Sequence, residues 1–316
     1  MRVPPVLLLI GSCVSLQFGA AFAAHLFPVT GSAGATVLRL GVAAVFLLAL
    51  TRPAVRAWTR AQWRSALVLG VTLAGMNGFF YASIDRIPLG IAVTLEFLGP
   101  LTLAAVTSPR RRDLSFIGLA LVGVVLLGVS GSHAGGGGLD VLGCVYALVA
   151  GAFWAAYILA AARLGTLVPG RGGLAVATAV AALVVLPIGA AGAGQVVVEP
   201  GLIPWVLATA LLASVIPYSL EFVALRTLSP RVFGVLLSLE PAVAAVAGAL
   251  LLAQALHPLA VLGILVVIAA SAGATLSAPA PVSVDEAGPV PPEAPAPLPA
   301  PRRRRRPVRV LARARR

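Results

Sequence analysis

Four ionisable side chains fall inside stretches that are otherwise almost wholly apolar: Arg39, Glu96, Glu221 and Glu240. In hydrocarbon such a group costs at least about 2.5–3.5 kcal/mol by insertion scales, so it normally faces a cavity or a partner of opposite sign. A carboxylate held this way can take up a proton or a substrate ammonium, and a guanidinium can hold a carboxylate. Glu96 and Glu240 are the leading candidates, with Arg39 as the group that holds a substrate carboxylate or neutralises a glutamate. Glu221 falls nearer a membrane face. The plainer alternative, an Arg39–glutamate pair that only braces a helix bundle, stays open. Polar and amphipathic side chains lie near these charges by position: Gln17, Asn77, Tyr81, Trp154, Tyr157 and Tyr218. Asn77, Tyr157 and Tyr218 join the substrate- or proton-binding candidates, whereas Tyr81, near the end of its apolar run, reads as an interfacial anchor.

Other chemistries lack their residues. His25, His133 and His257 fall at the ends of apolar runs or in loops, with no His-Glu-x-x-His, so an intramembrane metalloprotease has no ligand set and no metal site is expected. Cys13 and Cys144 sit within apolar runs without zinc or disulfide spacing. Gly135–Gly138 is not followed by Gly-Lys-Ser/Thr, so no nucleotide is cradled there and ATP-driven transport by this chain alone is excluded. Neither a cofactor nor an enzymatic activity is expected.

The elements that must position these charges are membrane helices. Of the 316 residues, 59% are hydrophobic and 10% charged, where a soluble domain carries about 25% charged residues. Apolar stretches at about 4–24, 31–50, 65–84, 88–107, 114–131, 141–161, 173–193, 203–224, 232–253 and 258–277 are each long enough to cross a core of ~30 Å. The expected fold is all-α, with ten transmembrane helices. All 23 basic residues are Arg, and nine of them lie in 302–316. With a cytoplasmic N-terminus, twelve of the remaining arginines fall in inner segments and only Arg86 in an outer one, so both termini are expected in the cytoplasm of an inner-membrane protein. No basic face with interleaved aromatics exists, and nucleic acid is not an expected partner. Residues 278–316 are Pro/Ala- and then Arg-rich, predicting a disordered cytoplasmic tail that lies against anionic lipid.

The two five-span halves repeat. Gly90 to Glu96 and Gly234 to Glu240 both read Gly-x-x-x-(Thr/Ser)-Leu-Glu, with Pro100 and Pro241 following. Cys13-Val14 with Ala21-Phe22 and Ala24 matches Cys144-Val145 with Ala152-Phe153 and Ala155. The match makes the first segment a retained span, although Ala21-Phe22-Ala23 imitates a signal-peptide cleavage site. Because five is odd, the halves, 4–131 and 141–277, must be inverted relative to each other, as in secondary transporters with a midplane site. The spacing of Gly90 with Thr94, and of Gly234 with Ser238, reads as close helix packing.

Pro88 through Leu101, Ser214 through Glu221, Phe233 through Ala242 and Phe153 through Ile158 together resemble the bacterial threonine/homoserine exporters of the EamA-type branch of the drug/metabolite transporter superfamily. The resemblance covers essentially residues 4–277. It implies ten spans in two inverted EamA-type halves and export of small neutral amino acids across a lipid bilayer. Proton coupling is expected from the residues themselves, since a carboxylate desolvated in a bundle takes up a proton more readily, and a homodimer is among the assemblies open to the chain. Where those proteins usually carry an acidic residue after the ninth span, this chain has Gln254. Two alternatives remain: export of a drug or other metabolite on the same scaffold, and a non-transporting scaffold that uses its Arg-rich tail.

Overall fold

The computed structural model describes residues 4–107, 114–133, 139–217, 220 and 235–277. Glu221 and Tyr218, both candidate site residues, lie outside these, as do Arg110–Arg112, Gly135–Gly138, Gly234 and the tail from 278. The described elements are all helical: α1 Pro5–Ala24, α2 Phe27–Thr51, α3 Arg60–Ile84, α4 Leu89–Glu96, α5 Leu98–Thr107, α6 Leu114–His133, α7 Val141–Leu167, α8 Gly172–Val198, α9 Ile203–Ala210, α10 Glu240–Leu252 and α11 Pro258–Ser277. Seven helices, counting 235–252 as one, are long and apolar enough to span a membrane, and three shorter apolar helical stretches occupy 89–104, 114–127 and 200–215. The protein is thus an all-α, multi-pass membrane protein of about ten helices. Ile188 is 76% exposed and Leu250 70%, an outer surface suited to lipid and not to water.

Local chemistry sets the helix ends. Thr59 and Gln62 form a capping box that starts α3, and the Asp140 carboxylate accepts from the Gly143 N–H at 3.1 Å to start α7. Gly31 takes φ 64°, a kink near the start of α2 that a side chain would strain.

Packing relies on small residues. Helix α2 lies along α8, where a Cβ on Gly34 would come 2.8 Å from the Gly192 carbonyl carbon. Helix α6 packs on α11, α4 on α10, α3 on both α7 and α8, α1 on α10 and α9, and α2 on α9. Gly90 brings α4 against α10, since a Cβ there would come 2.8 Å from Ala245. The close-packing expectation for Gly90 therefore holds.

Three runs expected to be continuous are interrupted. The fourth splits at Phe97, the ninth turns at Ser238–Leu239, and the eighth passes from a 3₁₀ turn at Pro200–Leu202 through α9 into a π-helical turn at Leu211–Val215. Proline supplies the reason. It has no N–H for the carbonyl four residues back, so Pro100 forgoes the bond to Glu96, Pro217 the bond to Ala213 and Pro241 the bond to Leu237.

Candidate functional site

Each interruption lies beside a residue of the site. Glu96 is the last residue of α4 and Glu240 the first of α10. The π-helical turn presents backbone carbonyls toward α1 and α2, a common use of such distortions at functional sites. Arg39 of α2 donates from Nη2 to the Ala213 carbonyl at 2.7 Å, the oxygen that Pro217 cannot serve in an α-helix. Its Nε donates to Ser214 Oγ at 3.1 Å, and its guanidinium lies 5.2 Å from the centre of the Tyr81 ring. Ser15 of α1 donates to the Leu212 carbonyl at 2.7 Å. Arg39 is therefore held by the second half of the chain at one edge, and it forms no ion pair within 4 Å with another described residue. Among the described residues, neither Glu96 nor Glu240 closes an ion pair with Arg39.

These groups surround one central cavity of about 70 Å³. Helix α1 contributes Gln17 and Ala20, α2 Arg39, α3 Asn77 and Phe80, α4 Glu96, α7 Trp154, and Glu240 enters from the start of α10. The polar members are withdrawn from the surface: Gln17 and Asn77 are 2% exposed, Arg39 and Glu240 3%, and Glu96 7%. Asn77 Nδ2 donates to the Leu73 carbonyl at 2.8 Å, and the Cys13 thiol lies 4.0 Å from Glu240 Oε1. Such a pocket can bind a small zwitterion: the cation meets its carboxylate, the carboxylates meet its ammonium, and the amides orient the remainder.

The structure brings together Arg39, Asn77, Glu96 and Glu240 from the expected set and leaves Tyr157 apart. Tyr157 lies one turn beyond Trp154 on α7, against apolar clusters that include Leu69 and Leu73, and does not line the cavity. Tyr81 is no interfacial anchor. It is fully buried beneath Arg39, and its place four residues after Asn77, on the same helix face, was the available signal. Gln254 has a structural use as well: its Oε1 accepts the Leu89 N–H at 3.0 Å, capping α4, the short helix that carries Glu96. At the other end of the α3–α4 connection, Arg86 and Asp140 form a half-exposed ion pair at 3.0 Å. The Gly143 N–H, and then the Arg86 guanidinium, hold the Asp140 carboxyl below its ordinary range.

Known proteins share this architecture. The model of the EamA-like transporter family matches residues 141–276. The threonine/homoserine exporter RhtA of Escherichia coli (strain K12) is 42% identical over 270 residues, covering 84% of this chain and 90% of the exporter. The RhtA protein of Salmonella typhimurium (strain LT2) is 41% identical over the same length. A protein known from a crystal structure, at 17% identity, superposes with a TM-score of 0.55 over 88% of this chain and 98% of its own, and so shares the fold. With such identity over most of both sequences, the chain belongs to the EamA-like transporter family and is a transport protein, not an enzyme.

Proposed function

We propose that this chain is a secondary exporter of small neutral amino acids, threonine and homoserine foremost, that works by alternating access and couples export to protons. The observation that carries the reading is the convergence of one guanidinium and two carboxylates in a single buried cavity. The charges fit the cargo. A bound zwitterion uses Arg39 and one glutamate, leaving one carboxylate charge over, which a proton can neutralise. The cavity is small beside the roughly 300–1,000 Å³ pockets that hold drug-sized ligands, which favours a metabolite over a drug. The name of the RhtA relatives supplies the substrate class.

The proposed architecture is ten spans in two inverted repeats, 4–131 and 141–277, with residues 278–316 as a cytoplasmic tail. The packing supports it. Exchanging the halves maps α2–α8, α6–α11 and α4–α10 onto themselves. It converts α3–α7 into the contact of α1 with the 200–215 stretch, and α3–α8 into α2–α9. Rocking of the halves around the cavity would then give alternating access. Arginine asymmetry supports cytoplasmic termini in the inner membrane, and reporter fusions after Arg60 and Arg171 should report cytoplasm, with those after Asp140 and Glu199 reporting the outside. Function is tested by efflux of threonine and homoserine from cells preloaded with dipeptides. Cells with the gene should export faster, and equal efflux with and without it would defeat the proposal.

A further inference from the structure

Gln17 is the one cavity-lining polar group that neither the charge balance nor the packing employs. It sits on α1, is 2% exposed, and its buried Oε1 has no hydrogen-bond partner among the described residues. A buried amide oxygen left unpaired is destabilising until something donates to it. No described residue donates to it. Ser15, two residues back on α1, donates to the Leu212 carbonyl, and the Asn77 amide nitrogen donates to the Leu73 carbonyl. Arg39 directs its Nε and Nη2 to Ser214 and Ala213, away from Gln17 Oε1.

We infer that Gln17 reads the hydroxyl of the transported amino acid and so selects hydroxylated substrates over their unsubstituted analogue. The assignment rests on the amino-acid reading above. In a bound zwitterion, the carboxylate and ammonium are claimed by charge-assisted bonds to Arg39 and the glutamates. The side-chain hydroxyl is what remains. It can donate to an amide oxygen and accept from an amide nitrogen, so it complements Gln17 whichever way the amide is turned. A site built around such a bond discriminates against a ligand that lacks the group, because the protein atom then stays unpaired.

The probe is 2-aminobutyrate, which is both threonine and homoserine without the hydroxyl. Purified protein in proteoliposomes is loaded with each of the three in turn. Wild type should move threonine and homoserine in preference to 2-aminobutyrate. Gln17→Met, similar in length but without the amide, should lower that preference about ten-fold, chiefly by losing the hydroxylated substrates. Gln17→Asn, with its amide one methylene short, should move the ratio in the same direction and serves if the Met variant fails to accumulate. Were all three substrates to fall by the same factor, or the preference to survive in these variants, Gln17 would be a packing residue and the inference wrong. A wild type that moves threonine without any preference over 2-aminobutyrate would overturn the Gln17 assignment alone. One that moves none of the three would sink the amino-acid reading itself, and this assignment with it.

Discussion

Glu96 closes α4 and Glu240 opens α10, each at the end of a Gly-x-x-x-(Thr/Ser)-Leu-Glu stretch, yet the helices that face them treat them differently. Beside Glu96 the bundle is tight. A Cβ on Gly151 of α7 would strike the Glu96 carbonyl, Gly99 meets the Gly151 backbone as closely, and the Phe97 ring stands edge-on to Trp154 at 5.0 Å. Beside Glu240 the facing helix is α1, which has Ala20 where α7 has Gly151, and both Ala20 and Gln17 border open cavity. A helix start also favours an anion, and a helix end does not. Both carboxylates border the one cavity, but the Glu96 backbone is fitted against Gly151 of α7, while on α1 the cavity itself reaches Ala20 and Gln17.

The largest expected effect strikes what both sides share. Arg39→Ala removes the cation that shares the cavity with the glutamates and frees the Ala213 carbonyl. It should lower efflux by about 100-fold or more and destabilise the detergent-solubilised protein by about 1–3 kcal/mol through the unpaired carbonyl. Efflux above half the wild-type rate would show that both sides work without Arg39. Next in size, Gly151→Ala should cost about 1–3 kcal/mol by overpacking against the Glu96 backbone. Ala20→Gly, at the corresponding place on α1, should cost only about 1 kcal/mol through helix propensity. Thermal unfolding compares them, and a larger loss for Ala20→Gly would erase the distinction between tight and open sides. The smallest effect lies outside the bundle. Asp140 caps α7 with a carboxyl held below its unfolded titration range, so its contribution is present above the unfolded pKa and lost as pH falls through the folded one. Asp140→Ala should lower the Tm slightly near neutral pH and converge with wild type in acid. A gap that persists in acid would assign the effect to packing.

Much of the scaffold was legible in the apolar runs, because a helix in lipid must satisfy its own backbone and therefore announces its length. The interruptions were less legible. Pro100, Pro217 and Pro241 all stand in plain view, but membrane helices often carry proline through without breaking, so only the tertiary partners decide. Arg39, Glu96, Asn77 and Glu240 converge because each is costly in lipid and tolerable only in a shared cavity. Tyr157 shows the limit of reading by proximity along the chain: one turn of α7 separates Trp154 in the cavity from an apolar cluster. Gln254 was visible as a departure from the family pattern, while its role as the α4 cap depends on a contact 165 residues away in sequence.

The central claim is that the two carboxylates take part in coupled export and do not merely fill space, and a pH-gradient assay tests it most directly. Wild type, Glu96→Gln and Glu240→Gln are reconstituted in proteoliposomes and threonine flux is followed with and without an imposed pH gradient. Gln keeps the shape and hydrogen-bonding capacity of Glu but cannot take up the charge. Wild-type flux should follow the gradient. Both variants should insert normally and lose gradient-driven flux, with Glu240→Gln the more severe because the residues around it match the exporter family more closely. If both variants follow the gradient at the wild-type rate, the carboxylates are braces and the proton-coupled account is wrong.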